Sequence, residues 1–311
     1  MKRFRKLVAL AFLLSGALIL SVPTYGSDGS DVDPETLDKY LAMVKQDLTA
    51  RRNATLRTLL TLTEPEAQEF WPLQEAYDKE LAKLHQTHKK LLHEYSQVYT
   101  NLTPENAAKL ADGFFGLEED KIALHRKYMK LMSDKVSPVV AVQFLQLQNQ
   151  FETMGDVKTS SFTPLAAEGR VDSGAQAKAL DAYLEAIKDD LTEGRDAALS
   201  VVLKVDDAQA KELKKFKKAY DKESGKISKE SEKLLLEYRD VHTKLTAAKA
   251  EDLAERFFAL DEQRTALHRK YVKTMSDEMS PVIAIQFMQV QYRFETMANL
   301  KASTYVPLAT R

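Results

Sequence analysis

The chain has no cysteine among its 311 residues, which excludes disulfides, a thiol nucleophile and a lipid-modified cysteine. Glycine and proline are scarce, at 10 and 9, too few for a turn-rich β architecture, and tryptophan occurs once, as Trp71. Charge of one sign is also lacking. Lys and Arg number 45 against 46 Asp and Glu, so nothing global points to nucleic acid. A Gly-rich phosphate loop, a nucleophile elbow and a His-Glu-x-x-His pair are all missing. The carboxylates lie in mixed-sign stretches such as Glu118-Glu119-Asp120-Lys121, the pattern of solvated helix faces. Catalysis is not expected, and no cofactor is called for.

What is present begins with a basic head, Lys2, Arg3, Arg5 and Lys6, followed by an apolar run over 7–20 and the small residues Thr24 and Gly26. That is the layout of a secretory signal over 1–26, its apolar run being short for a membrane span. The expected product is periplasmic or secreted, without a stable span once the signal is removed. Removal would leave 41 basic against 46 acidic residues, a net charge of −5.

Beyond the signal the chain repeats itself. Ala123-Leu124-His125-Arg126-Lys127-Tyr128 returns as Ala266-Leu267-His268-Arg269-Lys270-Tyr271, 143 positions later. At that offset 37–166 aligns with 180–309 without a gap, and 63 of the 130 positions are identical. The period has the size of a domain and exceeds that of a solenoid repeat. We therefore expect two homologous units, 27–166 and 180–311, joined by a Gly- and Ser-containing linker over 167–179.

Each unit reads as about four helices and the fold class as all-α. A first helix is expected over about 34–60. Thr63 with Glu66 forms a capping-box pattern that opens a long helix to about residue 99, with Pro72 near its start. Its apolar marks Tyr77, Leu81, Leu84, His88, Leu91, Tyr95 and Val98 step by four and three, a coiled-coil-like seam. Thr103-Pro104 and Ser137-Pro138 start the third and fourth helices. The closing Thr163-Pro164-Leu165-Ala166, mirrored by Val306-Pro307-Leu308-Ala309, reads as a tail packing back on its own helices.

Leu62-Thr63-Glu64-Pro65-Glu66, then Phe70-Trp71-Pro72, then Leu102-Thr103-Pro104-Glu105-Asn106 resemble the Leu-Thr-x-x-Gln class of bacterial periplasmic helical proteins. The Spy and CpxP chaperones belong to that class. Asn106 stands where the motif has Gln, and in the second unit neither Val205-Asp206-Asp207-Ala208-Gln209 nor Leu245-Thr246-Ala247-Ala248-Lys249 is intact. The resemblance implies an ATP-independent envelope chaperone or stress protein holding unfolded or partly folded envelope proteins. It also implies a possible pseudo-dimer of the two units within one chain. A metal-binding or metal-sensing envelope protein and a structural assembly module are the alternatives.

Several side chains are candidates for that work. Phe114-Phe115 and Phe257-Phe258 put rings on adjacent positions, so one of each pair faces a second surface. Met129, Val139, Val142 and Leu145 likewise fall off the main seams, as core or as an exposed apolar patch. Lys121 and Arg264 interrupt the apolar stripe and need water or an acid, with Glu94, Glu119, Glu237 and Glu262 as the retained candidates. Of these, Phe114, Phe115, Lys121, Phe257, Phe258 and Arg264, together with Trp71, make up the expected partner surface. His85 and His88, spaced i, i+3, are a candidate metal pair, or packed histidines, replaced by Ser228 and Ser231 in the second unit. His125 and His268 suggest a structural hydrogen bond at the corner between the third and fourth helices. Residues 68–75 carry a net −2 against +4 at 211–218, so these segments are expected to attract each other if the units pair.

Overall fold

The computed structural model describes residues 34–163, 166, 191–303, 306, 308 and 309. The signal segment 1–26 and the linker 167–179 lie outside the described residues. Among the described residues every regular element is helical, and the fold is all-α. The helices are α1 (Pro34–Leu59), α2 (Glu64–Val98), α3 (Pro104–Lys135), α4 (Pro138–Phe162), α5 (Leu191–Val202), α6 (Asp207–Val241), α7 (Ala247–Glu278) and α8 (Pro281–Ser303). None of them is long and apolar enough to cross a membrane.

The helix starts follow local hydrogen bonding. The Thr63 N–H donates to the Glu66 carboxylate at 2.8 Å, and the Thr103 N–H donates to Asn106 Oδ1 at 2.8 Å. In the second unit Asp206 accepts from the Gln209 N–H at 2.8 Å, while Gln209 Oε1 accepts from the Asp206 N–H at 3.1 Å. The altered letters at 106 and 206–209 therefore still cap, because any short acceptor facing the free N–H groups of the first turn serves. Ser137 and Ser280 do the same for α4 and α8 at 3.2 and 3.1 Å, each followed by a proline that needs no donor there. Helix α2 continues through Pro72.

The units do not stand apart. Helix α3 packs on α7 and α4 on α8, while α2 flanks α3, α6 flanks α7, α1 lies on α4 and α5 on α8. One buried cluster runs from Leu56, Phe70, Tyr77 and Phe144 to Tyr238, Leu253, Phe258 and Ala309, so the largest core spans both sequence units. Met129, Val142 and Leu145 are buried within it, because α3 and α4 each cover two neighbours at once. These three residues therefore belong to the buried core and do not form an exposed patch.

Contacts across the junction come in pairs 143 residues apart. Arg126 binds Glu262 at 2.7 Å and Glu255 at 3.2 Å, and Arg269 binds Glu119 at 2.7 Å and Asp112 at 3.0 Å. The Arg126 guanidinium lies 5.2 Å from the Phe258 ring centre and that of Arg269 lies 5.3 Å from Phe115. The closing segments cross. The Ala166 carbonyl accepts from Gln286 Nε2 on α8, and the Ala309 carbonyl accepts from Gln143 Nε2 on α4, at 2.6 and 2.7 Å. Ala166 and Ala309 thus each bind the other unit, contrary to the expectation that the tails pack on their own helices. Residues with a shared packing role are compatible with either partner, and only the tertiary arrangement chooses. The junction is likewise made by α3–α7 and α4–α8, so the oppositely charged segments of α2 and α6 do not form it.

Candidate functional site

One Tyr-His-Glu group in each unit ties its helices together. Tyr77 on α2 donates to Glu152 on α4 at 2.8 Å, and His125 Nε2 on α3 lies 3.0 Å from the same carboxylate oxygen. Tyr220, His268 and Glu295 form the matching group, with Tyr220 donating to Glu295 Oε1 at 2.5 Å and His268 Nε2 lying 3.0 Å from the other oxygen, Oε2. Both sit within the helix spans, not at the α3–α4 corner. Burial works against ionising Glu152, but the charge and hydrogen bond of His125 and the charge of Lys121 outweigh it and hold the carboxyl at about 2. Burial also opposes a charged His125, and Glu152 overcomes it, so the imidazole is pushed up.

A charged layer adjoins the first triad. Lys121 is 8% exposed and donates to Glu118 at 2.9 Å, with Asp156 at 4.0 Å. Burial disfavours its charge, yet Asp156 and Glu118 raise its pKa well above the usual lysine value. Asp156 is itself lifted to about 6 by burial, against the pull of Lys121. Arg264, the counterpart of Lys121, binds Asp261 at 2.7 Å. The partners are thus acids one turn back on the same helix. The acids expected from sequence are engaged elsewhere: Glu119 and Glu262 with the junction arginines, Glu94 with Lys109, and Glu237 with Lys249 and Arg256. Sequence spacing could have found Glu118, since i, i+3 pairs face one another on a helix.

Above these charges lie two clefts related by the same 143-residue offset. The first, of about 200 Å³, is walled by Leu110, Phe114, Ile285 and Met288, over Glu118, Asp156 and Tyr292. The second, of about 230 Å³, is walled by Leu253, Phe257, Val142 and Leu145, over Asp261, Arg264, Asn149 and Asn299. Each cleft is built from both units. Phe114 and Phe257 are half-buried on the cleft walls, while Phe115 and Phe258 face the junction arginines, Phe115 also lining the first cleft and Phe258 being fully buried. Leu235 on the rim of the second cleft is exposed, whereas its counterpart Leu92 is buried.

The remaining candidates lie apart from the clefts or only border them. Trp71 packs edge-on against Phe70 at 5.0 Å with the Arg57 guanidinium 4.4 Å above its ring, which places it in the α1–α2 packing. His88 sits edge-on to Phe114 and lines the first cleft. Burial lowers His85 to about 4 and His88 to about 3, keeping both neutral over the ordinary pH range. Among the described residues no group of three or more His, Cys, Asp or Glu is placed to hold a metal ion, so the pair lacks the further ligands a closed site requires.

Comparison of the chain with family models, with curated proteins and with solved structures returns no match.

Proposed function

We propose that this chain is an exported, non-enzymatic binding protein that holds unfolded or partly folded envelope proteins without nucleotide. The reading rests on one kind of cleft occurring twice between the halves, each with a half-buried phenylalanine over charged or polar groups. Cavities of this size admit single apolar side chains, and two such sites on one chain give avidity for an extended client. Charges beneath apolar walls speed capture without requiring tight, client-specific packing. The chain is then a fused pseudo-dimer produced by tandem duplication, in keeping with its resemblance to the Spy and CpxP class and with a signal over 1–26.

Residues 27–311, tested without nucleotide, are expected to suppress aggregation of a reduced, denatured carrier protein. A Phe114→Ala/Phe257→Ala variant with unchanged helix content is expected to lose most of that effect. Failure of the unaltered chain at molar excess ends the proposal, and full activity of the variant removes the clefts from it.

A further inference from the structure

A third cavity, of about 640 Å³, lies between α1, α2 and α4 of the first unit, within the range of small-molecule sites. Its apolar walls include Leu41, Val44, Leu48, Leu81 and Phe151. Four cations, Lys45, Arg52, Lys89 and Lys121, share the lining with two carboxylates, Glu152 and Asp156. Both carboxylates are already engaged. Glu152 accepts from Tyr77 and faces His125, and Asp156 faces Lys121. Arg52 is likewise committed, to Asp78 at 2.6 Å. Lys45 is exposed at the rim and makes no ion pair among the described residues.

His85 supplies the second half of an anion site. Its Nδ1 is buried without a hydrogen-bond partner, which leaves Nε2 as the ring nitrogen able to face the opening. A neutral imidazole then carries its proton on Nε2, because a buried N–H with no acceptor is the costlier tautomer. Lys45 and His85 both line this cavity, so one occupant is offered an ammonium and an N–H donor along with apolar walls. We propose that this cavity binds one medium-chain fatty-acid anion, its hydrocarbon between Leu48, Leu81 and Phe151 and its carboxylate between Lys45 and His85. The second unit has Ser228 where the first has His85, so one site per chain is expected.

The test is calorimetric titration of residues 27–311 with sodium decanoate at neutral pH. Saturable binding at one per chain is expected, about tenfold weaker for octanoate because two fewer methylenes are buried. Decanol, which has the chain but no charge, is expected to bind at least about tenfold more weakly, as is decanoate to Lys45→Glu. Lys45 is exposed, so this variant keeps the fold, which circular dichroism checks. Decanoate should also move the His85 imidazole resonances and should bind unchanged to Phe114→Ala/Phe257→Ala, which separates this site from the clefts. No saturation below about 1 mM decanoate, equal binding of decanol, or undiminished binding to Lys45→Glu would each overturn the proposal.

Discussion

Helices α2 and α6 occupy equivalent places and differ more than any other pair. Where α2 has Leu81, His85, His88 and Leu92, α6 has Ser224, Ser228, Ser231 and Leu235, and the last position goes from 5% to 38% exposed. The central helices behave otherwise. His125/His268, Glu152/Glu295, Arg126/Arg269 and Gln143/Gln286 are retained, and each keeps the same partners 143 residues on. The difference follows packing: α3, α4, α7 and α8 touch neighbours on several sides, whereas α6 touches mainly α7. A helix held on one face tolerates polar replacement on the others at little cost.

Three comparisons of variants would break or sharpen that contrast. The largest effect is expected at the junction. Phe258 is 1% exposed, so Phe258→Ala should cost about 3–5 kcal/mol through the cavity it leaves, and Phe115→Ala, at a half-buried ring, clearly less. Urea unfolding of both variants checks this, and equal losses would make the junction symmetric in energy as well as in contacts.

The next effect is on acid stability. His85 and His88 have folded values of about 4 and 3, below those of the unfolded chain, which therefore takes up protons first as pH falls below about 6.5. Their contribution is intact at pH 7 and is lost progressively toward pH 4. Asp156, raised to about 6, works in the opposite sense over part of that range, so the comparison must be with a variant. His85→Ser/His88→Ser, which copies α6, should lose less stability between pH 7 and 5 than the unaltered chain. An identical loss in denaturant titrations at both pH values would remove the two histidines as its cause.

The smallest effect is at Gly225, in the interior of α6, where an added Cβ meets nothing within 4 Å. Gly225→Ala should stabilise by about 0.5–1 kcal/mol, whereas at Gly113 the Cβ would stand 2.5 Å from Leu91 Cδ2 and that side chain must move first. Thermal unfolding distinguishes a gain at 225 from the smaller gain or loss expected at 113.

Much of the fold was legible because it is local. Capping residues at 63, 103 and 137 mark helix starts through bonds spanning three positions, and the seam at Tyr77, Leu81 and Tyr95 is visible as a period. The candidate site was legible only in part. The paired phenylalanines pointed to a second surface, but periodicity could not say that this surface is the other unit. Lys121 announced a buried cation, but its partner Glu118 is not retained letter for letter, its counterpart being the equally charged Asp261, so identity between the copies does not reveal it.

By itself, the sequence determined an all-helical chain, written as two alike halves, with its helix boundaries placed by short-range capping. Only the tertiary structure decided that the halves share a core, that Ala166 and Ala309 each bind the opposite unit, and that two clefts open between them. The reason is reach. A cap or a seam is set by residues within about one turn, whereas these contacts join residues more than 100 positions apart, whose pairing no local pattern encodes.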